Sequence, residues 1–156
     1  MTADETNEWI VREVQESELD ALLDLYTHLH SKDDSLPARD VTEATWQQIM
    51  SSDCFRYFAI ELDDQLVSSC TITIVPNLTR GCRPYGLIEN VVTRDGYRKQ
   101  GLATRLLEQV LDFAWQQGCY KVMLMTGHKD EETFRFYEGA GFKRGIKTGF
   151  IATPPD

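Results

Sequence analysis

The segment over residues 85–125 constrains the fold more than any other part of the chain. It reads "YGLIENVV", a polar turn, "RKQGLATRLLEQVLDFAWQQG" and then "CYKVMLM". Leu102, Ala103, Leu106, Leu107, Val110, Leu111 and Ala114 recur at spacings of three and four, which predicts a helix with one core-facing stripe. Gly118 sits where a C-terminal cap belongs. The apolar runs on either side predict a strand over 85–92 and a buried strand over 119–125. A strand, a crossover helix and a second strand of this size form a parallel, right-handed unit with the helix on one sheet face. Ligands of such sheets bind beyond the carboxyl ends of the strands, here beside Val92, Thr93 and the helix start.

That helix start carries unexpected charges. A helix amino terminus is partially positive and attracts Asp, Glu or a Ser/Thr cap, yet Arg98, Lys99 and Gly101 stand here, with Gln100 between them. The N–H groups of Gly101, Leu102, Ala103 and Thr104 have no partner in the first turn, and glycine lets a ligand approach the backbone. One reading is an anion site in which a pyrophosphate meets these N–H groups, Arg98 and Lys99 together. The other is that Asp95 caps an early turn and the cations are solvated. The pattern is neither GxxxxGK[ST] nor GxGxxG.

The rest of the chain reads as one unit, a single domain over 1–156 of α/β (mixed α+β) class. A short strand over 9–14 precedes a helix capped by Ser17, with Leu19, Leu22, Leu23, Tyr26 and Leu29 on one face. A polar loop follows, and Asp40 with Glu43 suggests a capping box for a helix ending near Met50. "FRYFAIEL" and "LVSSCTITIV" flank "DDQ" as a hairpin. Residues 76–84 form a loop, Asp130 caps a short helix reaching Tyr137, and "GFKRGIKTGFIAT" closes the chain as one or two strands. The methionines, including the "VMLM" run, belong to the core. So, for packing, do Trp46 and Tyr26, although both also suit an acceptor pocket, as do His28 and His30 at the end of the first helix. His128 falls in a loop.

Composition excludes some function classes. A net charge of −9 argues against a nucleic-acid partner, since phosphate backbones demand clustered Lys and Arg. No apolar run approaches the roughly 20 residues that span a bilayer. Cys54, Cys70, Cys82 and Cys119 show no CxxC pair, which suggests neither a metal site nor a disulfide framework. Reduced thiols, three of them in apolar strands, and the polar "MTADETNEW" opening point to the cytoplasm.

Two motifs resemble those of the GNAT N-acetyltransferase superfamily. "LIENVVTRDGYRKQGLATRLL" is similar to its acetyl-CoA motif, Arg/Gln-x-x-Gly-x-Gly/Ala at a helix start, with Arg98, Gly101 and Ala103 in place. "FYEGAGFKR" is similar to its closing motif, Tyr137 followed by Gly141 and Phe142. The resemblance implies the GNAT acyl-CoA N-acyltransferase fold, a central twisted mixed β-sheet flanked by helices. It implies acetyl-CoA as donor, with pyrophosphate at Arg98, Lys99, Gln100, Gly101, Leu102, Ala103 and Thr104 and pantetheine along Val91, Val92 and Thr93. The N–H near Val91 would stabilise the oxyanion. A thiol has a pKa of about 8.5 and a tyrosine about 10, so Tyr137 is protonated at neutral pH and can serve the departing thiolate. Alternatively it is a core aromatic paired with Phe134.

An amine of pKa about 10.4 costs roughly 4 to 5 kcal/mol to hold neutral at pH 7, which calls for a base. Glu89 is the candidate, expected on the same strand face as Val91; an ion pair or edge charge is its structural alternative. The implied reaction moves acetyl directly to a primary amine of a small-molecule acceptor, an amine or amino sugar, with no metal. Protein N-terminal or lysine acetylation and a non-catalytic CoA-binding sensor remain alternatives, and the superfamily often forms homodimers. "IENVV" and "GCYKVML" resemble the branch containing glucosamine-6-phosphate N-acetyltransferase, where Asp usually follows the Glu. Here Asn90 does, a departure that counts against a sugar-phosphate acceptor.

Overall fold

The computed structural model describes residues 9–156; the acidic opening stretch before Trp9 lies outside them. Five strands run in sheet order β1 (Val11–Glu13), β2 (Phe55–Leu62), β3 (Gln65–Val75), β4 (Tyr85–Thr93) and β5 (Val122–Leu124). Neighbours from β1 to β4 are antiparallel and β4–β5 is parallel, so the sheet is mixed. Helices α1 (Leu19–Tyr26) and α2 (Arg39–Met50) precede β2. The short left-handed turn α3 (Thr79–Cys82) precedes β4, α4 (Leu102–Gln116) links β4 to β5, and α5 (Glu131–Gly139) follows β5.

Each face of the sheet carries its own core. The α4 stripe of Leu102, Leu106, Leu107, Val110 and Ala114 is buried with Phe58, Ile60, Cys70, Ile72 and Ile88. Leu19, Leu22 and Leu25 of α1 and Trp46 of α2 bury Val14, Ala59, Leu66 and Val92 on the other face. Trp46 also donates its indole N–H to the Glu16 carbonyl (2.8 Å) and meets the Tyr57 ring edge-on at 5.5 Å, so it is a core residue. Helix α4 ends as its sequence predicts. Gly118 has φ +82°, its N–H reaches the Trp115 carbonyl and that of Cys119 reaches Ala114, the double bond of a Schellman motif. Asp130 caps α5 by accepting from the Thr133 N–H at 2.8 Å. In the β2–β3 hairpin, Asp63 and Asp64 both take positive φ, which the two-residue turn requires and Asp tolerates.

Several local expectations fail. Ser17 lies within a 3₁₀ turn (Glu16–Glu18), and Glu18 instead accepts the Gln15 N–H. Helix α2 starts at Arg39 behind Ala38, and Asp40 and Glu43 form no capping box because Glu43 is drawn to Arg39 four residues back. Strand β5 is three residues long and only half-buried, with Met125 exposed beyond it, so of the "VMLM" run only Val122 and Leu124 pack against the core. Cys70 alone of the cysteines lies in a strand, and all four are free thiols.

The closing strands do not form. Residues 143–156 carry no strand, and Ile146, Phe150 and Ile151 are 70%, 90% and 76% exposed. The segment forms no ladder with any strand of the described residues. Among those residues no helix is long and apolar enough to cross a membrane, and no three His, Cys, Asp or Glu side chains cluster as a metal site.

Candidate active site

The site begins where β4 and β5 part. They pair only at Gly86, Leu87 and Ile88 against Val122, Met123 and Leu124, so from Glu89 to Thr93 the outer edge of β4 has no strand beside it. Backbone groups on such an edge are open to an extended ligand arm.

A bulge shapes that edge. On β3, Thr71 pairs with Glu89 and Ser69 with Val92, so Asn90 and Val91 together oppose Cys70. Asn90 takes φ +53°, a left-handed conformation that Asn adopts more readily than most residues. Paired residues share a face, hence Glu89 and Val92 both face the α1 and α2 side, whereas Val91 packs into the core beneath α4. The expected common face of Glu89 and Val91 is therefore wrong. The inserted residue reverses the alternation between them. No periodicity argument finds this, although Asn in a strand after Glu is the signal a bulge leaves.

Tyr137 approaches from the α4 side. Its ring lies against Phe136 (centroids 4.8 Å) and edge-on to Phe142 (6.2 Å), not against Phe134, which sits under Arg144. Gly141, at φ +105°, turns the chain so that the Phe142 N–H reaches the Tyr137 carbonyl. Burial raises the hydroxyl above its ordinary pKa, with Cys70 and the Glu89 carboxylate adding to the effect. Tyr137 thus stays protonated at neutral pH. Tyr137 packs with the core beneath α4 and Glu89 faces the α1 and α2 side, yet the carboxylate is near enough to act on the hydroxyl.

Tyr26 sits across the bulge in the α1 core. Its buried hydroxyl has no hydrogen-bond partner, and burial raises it strongly, while the Asn90 side chain draws near without bonding geometry.

The helix start matches the sequence reading in part. Gly101 is the residue before α4, with φ +81° and no side-chain cap, which leaves the first-turn N–H groups of Leu102, Ala103 and Thr104 without an intrahelical partner at the positive helix end. Lys99 (φ +60°) and Gly101 are left-handed, and alternating left-handed residues turn backbone N–H groups into an anion-binding concavity. The cations are arranged differently from the reading in which both face one anion. Arg98 donates to the carbonyls of Thr93 (3.2 Å) and His28 (3.1 Å) and pairs with Asp95 (3.0 Å). Lys99 turns the other way, 3.4 Å from Glu132 of α5. His28 is held by Asp95 and Arg94, and Arg94 also pairs with Asp24 of α1 at 2.7 Å.

A splayed parallel strand pair, a bulge at the splay, an uncapped glycine-led helix and a tyrosine facing the gap together describe a site for a long anionic thioester. A model of the acetyltransferase (GNAT) family matches residues 19–142. The chain belongs to the GNAT family. It is an acetyl-CoA-dependent N-acetyltransferase, in keeping with relatives across the family. A glucosamine 6-phosphate N-acetyltransferase of Trypanosoma brucei brucei is 30% identical over 133 residues, spanning 85% of this chain and 88% of that protein. An aminoglycoside N(6′)-acetyltransferase of Serratia marcescens is 30% identical over 88 residues, 55% of this chain and 60% of that one. The solved structure of an Agrobacterium tumefaciens protein ascribed to the acetyltransferases superposes with a TM-score of 0.86 at 34% identity, covering 93% of this chain and 99% of that one. In this GNAT domain β4 and β5 form the splay, Gly101 leads into α4, and α5 carries Tyr137.

Sequence reasoning missed a group at the opposite end of β4. Arg80, Arg83 and Lys121 surround the Tyr120 ring at 5.8, 5.6 and 5.2 Å from its centroid, and Lys121 also lies 5.4 Å from that of Tyr85. Among the described residues none of the three has an acidic partner. Three cations within "TRGCRPY" and "CYK" of a chain this acidic are a signal the sequence does carry.

Proposed function

We propose that this protein transfers acetyl from acetyl-CoA directly to a primary amine of a small acceptor, an amine or amino sugar that also bears an anionic group. The observation that carries this reading is an uncovered strip of sheet face. Tyr85, Leu87 and Glu89 alternate on β4 beside Val75, Thr73 and Thr71 of β3, on the α1 and α2 side, and Leu87 and Phe55 of that region are exposed. Glu89 stands at one end of the strip and the cations around Tyr120 at the other, about 13 Å away by strand rise. An amine at Glu89 places an acidic group of the same molecule within reach of Lys121 and Arg83. Relatives that acetylate glucosamine 6-phosphate support this class. The acidic balance and Asn90 count less against it, because the strip is locally basic and Asn90 serves the bulge.

In this reading Glu89 takes the ammonium proton on one face, directly or through water. The amine attacks the thioester in the gap, Tyr137 protonates the leaving thiolate as the C–S bond breaks, and the second proton lost by the nitrogen as the amide forms passes through water to restore the tyrosine. Backbone groups near Val91 stabilise the oxyanion. Pyrophosphate rests on Gly101, Leu102, Ala103 and Thr104, with Gln100 beside them, and pantetheine along Val91, Val92 and Thr93.

The test is acetyl-CoA turnover with glucosamine 6-phosphate, glucosamine, an aminoglycoside and a lysine peptide. Glucosamine 6-phosphate is expected to exceed glucosamine in kcat/KM by about tenfold or more, and Lys121→Ala with Arg83→Ala to erase that difference, since a charge-assisted hydrogen bond contributes about 1.5–3 kcal/mol. A preference for the peptide would indicate protein acetylation. Stabilisation by CoA with no thiol release from any amine would indicate a sensor.

We further propose a homodimer in a reducing, cytoplasmic setting, supported by the exposed Ile146, Phe150 and Ile151, the one-sided pairing of β5 and the four free thiols. The full chain is expected to run as a dimer in light scattering and a chain ending at Gly145 as a monomer. Equal masses for the two would refute the tail as the contact.

A further inference from the structure

The loop over 94–101 touches two parts of the molecule that have no other polar link among the described residues. At one end it leads into the N–H groups of α4. At the other it grips the turn that ends α1. The Arg98 guanidinium donates to the His28 carbonyl at 3.1 Å and to the Thr93 carbonyl at 3.2 Å, and meets the Asp95 carboxylate at 3.0 Å. The Asp95 backbone N–H in turn donates to His28 Nδ1 at 3.3 Å, and the Asp95 carboxylate lies 3.2 Å from the same nitrogen. Arg94 completes the group, bonding Asp24 at 2.7 Å and the Leu66 carbonyl at 3.1 Å, with His28 Nε2 3.4 Å away.

We infer that Arg98, Asp95 and His28 form a strap through which a cofactor anion at the start of α4 firms the end of α1. The inference rests on the acetyl-CoA reading of that helix start. Gly96, Lys99 and Gly101 all have positive φ within this loop, so the conformation is one that local preferences do not secure. An anion bound to the α4 N–H groups removes the freedom of the loop. The strap bonds then form at less entropic cost, and two sites become coupled without a large movement. Arg98 is thereby a positioning residue. Its guanidinium is directed at α1, and the backbone around Gly101 is left to face the anion.

Hydrogen exchange at the turn reads this directly. The reporter amides are those of Thr27, His28 and Leu29, which bond the carbonyls of Asp24, Leu25 and Tyr26. Saturating the protein with CoA is expected to slow their exchange about fivefold or more, a modest coupling. In Asp95→Ala, and independently in Arg98→Lys, which keeps the charge but loses the forked donors, CoA-dependent slowing should vanish. Calorimetry confirms occupancy of each protein. Bound CoA with no slowing in the wild type overturns the strap alone, as does slowing that persists in both variants. Failure of the wild type to bind CoA overturns the strap together with the cofactor reading.

Discussion

Gly101→Asp is expected to raise the dissociation constant of CoA by about two orders of magnitude, with Gly101→Ala intermediate. Gly101 has φ +81°, which costs an L-residue about 1–2 kcal/mol, and Asp tolerates that strain better than Ala, so any further loss in the aspartate variant reports its charge. Space is not the issue, because a Cβ there would only approach the Trp9 ring at 4.0 Å. The aspartate adds a negative charge at the end of α4 and a carboxylate able to engage the first-turn N–H groups that pyrophosphate needs. Charge-assisted contacts of about 1.5–3 kcal/mol then turn from attraction to competition. Titration calorimetry of the three proteins separates the shared strain from the charge. An unchanged dissociation constant in the aspartate variant would move the pyrophosphate site elsewhere.

Tyr137→Phe is expected to lower the single-turnover rate of acetyl transfer about a hundredfold or more while acetyl-CoA affinity stays the same. The substitution keeps the ring against Phe136 and Phe142 and removes only the hydroxyl. Burial and the Glu89 charge hold that hydroxyl protonated well past neutrality, so it arrives at the reaction as a donor. A thiolate leaving into a half-buried gap without a donor must recruit its proton from water. Rapid-quench measurement at saturating acetyl-CoA isolates this step from product release. An unchanged rate would return Tyr137 to the role of a packing aromatic.

Much of this was legible in the chain. The α4 stripe, the Gly118 cap, the Asp130 cap and the Asp63–Asp64 turn are local devices, and each is set by residues within a few positions of one another. Tyr137 and the Arg98-to-Ala103 motif were found for the same reason. Failures came where another partner competed, whether one helical turn away or far along the chain. Glu43 pairs with Arg39 rather than closing a box, and Arg98 turns to the end of α1 rather than to the helix start it precedes.

The sequence by itself determined the parallel unit around α4, its uncapped glycine and the two motifs that place the chain in its family, because periodicity, capping and left-handed glycines act over one or two turns. Tertiary structure alone decided which face each active-site residue occupies. One residue inserted at Asn90 against Cys70 reverses the alternation, and only pairing with β3 reveals it. Tertiary structure likewise decided that the Glu89 carboxylate comes near enough to Tyr137 to raise its hydroxyl further. It also assembled Arg80, Arg83 and Lys121 about one tyrosine, where sheet pairing brings two sequence-distant segments together.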